Sequence, residues 1–498
     1  MAADTEVAET SHIIGIAKQT IVYGLSGVAI QAVGLLTLPV FARVFSRSEY
    51  GVLEIAFTLT AVLGALVDAG FASAAQRSFY DYGDDELEQR RRVIATALAF
   101  TTVLAAAAML ILLAASGPIS DWLLDGRGRG AVVALAISIP LVNGANFLRE
   151  TMRLRFRAWH YVVSSVLAAA ATAGIGIAAV VGFDRGVEGV FIGVIVGNAL
   201  AAFYGAVVVR ADVGRRLSGD ELRRMLAYGI PLVPVALAAW ALLLVDRIML
   251  KELGSLSEVG EYAVANRVAN VLLLAVTGFV LAFGPYVFSI HQRDPELEKD
   301  VRSKTLTYLT VALCAAGLVL TLFAREIISV AAPAFDRAYE AVGLLALSVV
   351  AFGISNVVMA GISIVRQTKV LALLSTIGAA FNIALNFALI PPFGMIGAAV
   401  ATAAAYVLLA ALYYRSAQRV YRTPYELPKV LLAVALASGI GILGVLPLGP
   451  TAVAVPVKLA ALAAFLVLLR TTGVVSADEL ERVRGLLGGM FRLRPAQA

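Results

Sequence analysis

Apolar runs of spanning length, broken by short polar clusters, repeat from one end of the chain to the other. Each is long enough to cross about 30 Å of hydrocarbon as a helix, whereas barrel strands would be shorter and would alternate in polarity. About fourteen such runs are read, near 20–42, 51–73, 93–116, 131–151, 161–182, 187–209, 227–250, 262–288, 305–324, 339–363, 370–390, 394–414, 430–447 and 452–469. Pro391-Pro392 divides the eleventh from the twelfth, and Pro447, Pro450 and Pro456 mark the division between the last two. The expectation is an all-α polytopic membrane protein.

Composition agrees. Of 498 residues, 60% are hydrophobic and 15% charged, with a mean hydropathy of +0.87, too apolar for a water-soluble chain of this length. The net charge of +6 and the pI near 9.4 are not a nucleic-acid signature, because the basic residues sit in short loops between apolar runs. Counted by alternating sides, about 29 Lys and Arg fall on one side and about 10 on the other, which puts both termini in the cytoplasm by the positive-inside bias. The acidic start of the chain has no basic stretch before a short apolar one, so no cleavable signal is expected and the first span directs insertion. The single cysteine, Cys314, excludes an intrachain disulfide and a thiolate metal site, and His12, His160 and His291 are too scattered for a metal.

An internal repeat organises the runs. Ser257-Glu258-Val259-Gly260 rewrites Ser48-Glu49-Tyr50-Gly51 at an offset of about 209 residues, between two long apolar segments in both cases. Gly186-Val187-Glu188-Gly189-Val190 is echoed by Gly394-Met395-Ile396-Gly397-Ala398, and Arg157 by Arg366. Six spans are therefore duplicated. Six being even, both copies insert in the same orientation, related by an axis along the membrane normal with a cavity between them. The domains read as a six-helix lobe over 1–210, a cytoplasmic linker over 211–226, a second six-helix lobe over 227–415 and two further helices over 429–470. Ser476-Ala-Asp-Glu479 opens an amphipathic helix over 476–494 that suits the cytoplasmic leaflet, and Ser218-Gly-Asp-Glu221 repeats that capping box in the linker.

Phe41-Ala42-Arg43, Ser48-Glu49-Tyr50-Gly51, Asp68-Ala69-Gly70, Asp246-Arg247, Glu258-Val259-Gly260-Glu261-Tyr262 and Gly394-Met395-Ile396-Gly397-Ala398 carry a resemblance over about the first 415 residues. In them the chain resembles the Wzx-like polysaccharide-biosynthesis flippases of the multidrug/oligosaccharidyl-lipid/polysaccharide exporter superfamily. The resemblance implies a substrate in which an oligosaccharide is joined to undecaprenol through a diphosphate, carried across the bacterial cytoplasmic membrane for surface polysaccharides such as O-antigen, lipopolysaccharide or exopolysaccharide. It also implies a polysaccharide polymerase and a chain-length regulator as partners, and no cofactor. Two extra C-terminal spans occur in branches of the superfamily that include lipid II flippases.

Such a cargo needs a polar, preferably cationic interior, and an ionisable residue inside a span is costly enough to be a functional candidate. Arg267, flanked by Asn266 and Asn270, is the first candidate, since its planar fork suits phosphate oxygens; pairing with Glu54 or Asp246 is the structural alternative. Arg43 and Arg247 lie near the ends of spans, where snorkelling competes with substrate binding. Asp68, Glu54 and Asp246 are the candidates for ion or proton coupling. Gln31, Asn143, Asn146, Asn198, Asn356, Asn382 and Asn386 read as hydrogen-bonding glue between helices, and Gly193 with Gly197 as a close helix approach. Gly126-Arg-Gly-Arg-Gly130 follows no strand and is a loop, not a phosphate cradle. No nucleophile and base stand together, so the expectation is a transporter rather than an enzyme. An ion-coupled multidrug exporter and a lipid II flippase stay open as alternatives; a membrane glycosyltransferase or ligase would need a larger extramembrane loop than the chain provides.

Overall fold

The computed structural model of the protein describes residues 27, 31–68, 70–83, 85–126, 128–449 and 451–474. Lys18, His12, Arg127, the start of the first span and the expected helix over 476–494 lie outside them. The described residues fold entirely into helices and their connections.

In chain order, α1 covers Gln31–Val44, α2 Arg47–Asp68, α3 Phe71–Tyr80, α4 Leu87–Ala114, the short α5 Ser116–Leu123, α6 Arg129–Leu154, α7 Ala158–Ile177 and α8 Gly186–Val209. The linker helix α9 covers Gly219–Gly229. The second set is α10 Val233–Leu253, α11 Leu256–Ala269, α12 Val271–Arg293, α13 Pro295–Leu322, the short α14 Ala324–Ala331, α15 Tyr339–Ile364 and α16 Thr368–Val420; α17 Leu427–Gly441 and α18 Thr451–Thr471 complete the chain. Among the described residues, 11 helices are long and apolar enough to cross a membrane. One of these, α16, is two helices joined at Gly394, whose φ of 53° and ψ of −131° no helix contains. The break expected at Pro391-Pro392 thus falls two residues later, where glycine accepts the left-handed φ. The 21-residue α10 and the shorter α1 occupy the seventh and first apolar runs.

Two spans begin earlier than the apolar pattern indicates and are bent. The second starts at Arg47, and its helix axis changes at Gly70; the eighth starts at Leu256 and is interrupted at Asn270. Their starts explain the repeated sequence. Ser46 and Ser255 are N-caps, accepting from the backbone N–H of Glu49 at 3.3 Å and Glu258 at 3.2 Å, and the Glu49 carboxylate returns to the Ser46 N–H at 2.8 Å. The glycines two residues beyond each glutamate mark where α2 and α11 cross. A Cβ on Gly51 would stand 2.0 Å from the Leu256 carbonyl oxygen, and one on Gly260 would stand 2.1 Å from that of Arg47. Arg47 and Leu256 are themselves equivalent in the repeat, so the crossing is reciprocal: each glycine receives the other helix's first turn.

The lobes meet mainly here. α2 packs on α11 and α10, with a smaller contact between α5 and α10, whereas α9 packs against α3 and α4 at the opposite end of the molecule. Within each lobe the packing is also duplicated, α4 on α6 on α8 in the first and α13 on α15 on α16 in the second. Gly193 and Gly197 of α8 lie against the backbone of α7 at Thr172 and Ala168, the expected close approach. Large apolar side chains cover the outside, Leu110, Phe203, Leu373 and Leu466 among them, as a lipid-facing surface requires.

Several basic residues counted in loops are in fact buried and paired. Arg302 and Glu298 of α13 are wholly buried, 2.8 Å apart, with the Arg302 guanidinium 5.0 Å from the Tyr421 ring and donating to Thr423. They bind the segment that leads into α17. Lys458 of α18 reaches Glu326 of α14 at 2.6 Å, fixing the last helix to the second lobe. In the linker, Ser218 caps α9 by accepting from the Glu221 N–H at 3.3 Å. The Glu221 carboxylate does not complete the box; it accepts the Tyr82 hydroxyl, and that bond raises the Tyr82 pKa.

Candidate functional site

A cavity of about 470 Å³ lies between the lobes. Its walls come from α1, α2, α6, α7 and α8 on one side and from the α11–α12 bend on the other, with Thr37, Thr172, Asn198 and Asn270 among its polar residues. Arg267 lines it. The Gly51–Gly260 crossing closes the cavity at one end, because Arg267 lies seven residues beyond Gly260, about 10 Å along the helix. No Asp or Glu is found among the described residues that line it.

Behind this wall runs a charged network that joins the lobes. The Arg267 Nη2 donates to Glu54 Oε1 at 2.9 Å, and its Nη1 reaches the Gly34 carbonyl at 3.4 Å. Its guanidinium also lies 5.4 Å from the Tyr50 ring centre. Glu54 takes a second partner, Arg247, whose Nε is 3.8 Å from Oε2. Arg247 in turn donates to Asp246 at 3.0 Å, and Asp246 accepts from the Tyr262 hydroxyl and, at 3.5 Å, from Thr402. Glu54, Asp246 and Arg247 are each at most 8% exposed. The charges balance, with two guanidiniums against two carboxylates, as burial in low dielectric demands. Snorkelling is therefore not what Arg247 does: it is turned inward to its acidic partners.

The pairing of Arg267 with Glu54 satisfies the structural alternative without removing Arg267 from the cavity wall. Its side chain keeps 23% exposure and lines the space while Nη2 holds Glu54 and Nη1 the Gly34 carbonyl. Asn270 lines the cavity too; Asn266 contributes its carbonyl to the Asn270 N–H at 2.8 Å. Arg43 is elsewhere. It sits at the closed end and donates to the Val330 carbonyl of α14 at 2.9 Å. Asp68 accepts from the Ala72 N–H at 3.2 Å, capping α3 across the bend, and faces a separate pocket of about 220 Å³ that Asn143, Asn146 and Glu150 also line.

The amide side chains are seldom glue between helices. Asn198 and Asn356 donate to carbonyls one turn back on their own helices, at 2.9 and 2.8 Å, and Asn386 donates to Asn382 at 3.1 Å. Asn143 does cross, to the Thr101 carbonyl of α4 at 3.4 Å. One cavity residue is not singled out from sequence: Arg149, counted with the cytoplasmic-side charges at the end of the 131–151 run, lies inside α6 and lines the cavity with Ser165. The apolar run it terminates gives no sign that the helix continues to Leu154. Among the described residues, no group of three or more His, Cys, Asp or Glu is arranged to hold a metal ion.

A family model described as polysaccharide biosynthesis protein matches residues 16–291, more than half of the chain. No curated protein sequence matches it. Among solved structures, the chain is similar to the lipid II flippase MurJ in an inward closed conformation, with a TM-score of 0.71 at 14% identity, over 91% of this chain and 100% of that one. It is also similar to a multidrug resistance MATE family transporter of the MOP superfamily in an inward-facing conformation, with a TM-score of 0.65 at 14% identity, over 78% and 94% of the two chains. The Vibrio cholerae MATE transporter VcmN aligns with a TM-score of 0.55 at 14% identity, over 82% of this chain and 98% of that one. At these identities the likeness is one of fold.

Proposed function

Because the chain belongs to the polysaccharide biosynthesis protein family, we propose that it is a flippase that carries undecaprenyl-diphosphate-linked oligosaccharide across the bacterial cytoplasmic membrane, from the inner to the outer leaflet. One observation carries this reading: a cavity between two repeated lobes presents the guanidinium of Arg267 and no carboxylate among its described lining residues. A diphosphate in a low-dielectric space needs a cation that can offer paired donors, which a guanidinium does. The glycan needs polar walls, for which Thr37, Thr172, Asn198 and Asn270 are placed.

Transport proceeds by rocking of the lobes about this cavity. The loop-charge bias assigns the Gly51–Gly260 end to the outer face and α9, with both termini, to the cytoplasm, so the lobes are closed outward. Glu54 is the hinge of charge in this scheme: an anionic substrate competes with it for Arg267, and Arg247 stands within 3.8 Å to hold Glu54 when Arg267 is taken. Asp68 and Asp246 are the remaining coupling candidates, and no residue is assigned a catalytic role. A polymerase and a chain-length regulator are the partners this role implies.

A second reading has its own observation. The pocket with Asp68 and Glu150 is an acidic site in the first lobe, as ion-coupled export of cationic compounds would use. Deleting the gene separates the two: loss of surface polysaccharide supports the flippase, loss of resistance to cationic drugs supports the exporter, and arrest of cell-wall synthesis points to lipid II.

A further inference from the structure

The cavity has a second guanidinium whose donors are not spent. Arg149 donates through Nη2 to Asn146 Oδ1, while its Nη1 is buried with no hydrogen-bond partner. Arg267, by contrast, is committed to Glu54 and the Gly34 carbonyl. Beside Arg149 in the cavity wall is Ser165 of α7, 2% exposed, whose Oγ also lacks a partner. Both conditions are costly. An unmade hydrogen bond on a buried hydroxyl is unfavourable and on a charged group more so, so native chains keep such groups where something else completes them.

The two residues also share a level. Arg149 is five residues before the end of α6 and Ser165 seven after the start of α7, so each lies about 8–10 Å in from the α9 end of its helix. Arg267 is deeper, 11 residues from the closed-end start of α11, or about 16 Å from that end. Arg149 cannot be explained as snorkelling, since the free Nη1 is buried rather than turned to the surface.

We propose that Arg149 and Ser165 form the first step of an anion path through this cavity: they receive phosphate oxygens entering from the α9 end, before Arg267 engages them. This rests on the flippase reading for the identity of the cargo, a lipid-linked diphosphate, but the anion site itself does not. Two positions at different depths allow the diphosphate to leave one guanidinium as it meets the next, so that neither must release it into bare hydrocarbon.

The test uses the full chain with Cys314→Ala and a reporter thiol introduced by Ala169→Cys, one turn from Ser165 on the cavity wall. Labelling of that thiol by a charged methanethiosulfonate reagent is timed in purified protein with inorganic diphosphate, with undecaprenyl diphosphate, and in phosphatidylglycerol vesicles without either. Inorganic diphosphate is expected to slow labelling tenfold or more. Arg149→Ala should abolish that protection, Arg149→Lys should restore part of it at an unchanged gel-filtration profile, and Arg267→Ala should leave it. Protection that survives Arg149→Ala, or is lost equally in Arg267→Ala, overturns the proposal. Protection by phosphatidylglycerol alone overturns the diphosphate assignment, since any lipid phosphate then serves. If Arg149-dependent protection is found but the wild-type protein flips no lipid-linked saccharide, the anion path stands and the flippase reading falls. If Arg149→Ala flips the lipid-linked saccharide at the wild-type rate, the flippase reading stands and the anion step at Arg149 falls.

Discussion

Arg43 and Lys251 stand one residue out of register in the two halves of the repeat, Arg43 matching Glu252 at the 209-residue offset of the adjoining turn, and each donates to a main-chain carbonyl of the opposite lobe. Arg43 reaches Val330 at the end of α14 at 2.9 Å, and Lys251 reaches Trp122 at the end of α5 at 2.7 Å. Val330 and Trp122 stand about 208 residues apart, like their donors. The clasp is thus doubled about the crossing of Gly51 and Gly260, its two cationic donors differing by one residue in register. Ion pairs reinforce it, Arg47 with Glu261 at 3.1 Å and Asp336 at 2.5 Å, Lys251 with Asp125 at 3.2 Å.

Loosening the clasp should open that end. Exposed charged contacts of this kind contribute about 0.2–1 kcal/mol each, so Arg43→Ala or Lys251→Ala alone should shift the closed population a few-fold and the double variant by the product. Spin labels on α5 and α14 would read it as a longer, broader distance distribution. An unchanged distribution in the double variant would mean that the glycine crossing alone holds the lobes.

The crossing itself has no room for a methyl group. Gly51→Ala and Gly260→Ala each place a Cβ about 2 Å from a backbone oxygen that cannot rotate away, so both should lower thermal stability in detergent, by about 1–3 kcal/mol, to similar extents. Equal effects would follow from the reciprocity; a large loss at one site and none at the other would break it.

Glu54 is shared by Arg267 and Arg247, and its removal should cost more than that of either partner. Glu54→Gln leaves two guanidiniums against the single carboxylate of Asp246, with Arg267 unpaired, a loss of about 3–5 kcal/mol, whereas Arg267→Ala leaves Glu54 with Arg247. A double-mutant cycle over Arg267→Ala and Glu54→Gln, read by chemical denaturation in detergent, should give a coupling above about 1 kcal/mol. Additive effects would show that the pair is not joined in solution.

The wholly buried Arg302–Glu298 pair offers a different contrast. Arg302→Ala should destabilise the chain by about 3–5 kcal/mol and free the 421–426 segment to proteolysis, while replacing both residues with apolar ones of similar volume should restore most of the stability. Proteolysis of that segment at the wild-type rate in Arg302→Ala would show that the pair does not hold it.

Much of this architecture is legible because lipid imposes a simple rule on sequence. Runs of spanning length mark the helices, and the repeated Ser-Glu-x-Gly marks the symmetry, its reason being a capping serine two residues before it, Ser46 or Ser255, and a crossing glycine at its end. What periodicity does not carry is partnership across the lobes: nothing in the sequence around Arg43 names Val330, and nothing near Glu54 shows that it serves two arginines. Arg149 is hidden for another reason. It falls in the last turn of the 131–151 run, where a basic residue reads as the cytoplasmic edge of a span, and nothing in the pattern tells such an edge from a cavity wall. The helix break at Gly394 is likewise masked by the two prolines before it.

The leaflet position of a labelled undecaprenyl-diphosphate-linked oligosaccharide, in vesicles that contain the protein, decides whether the chain carries this lipid by way of Arg267. Wild-type protein should move the label to the opposite leaflet, and Arg267→Ala, present at equal level and folded, should slow that movement tenfold or more. No movement with wild-type protein would show that it does not flip this lipid, and equal movement with Arg267→Ala that Arg267 does not hold the diphosphate.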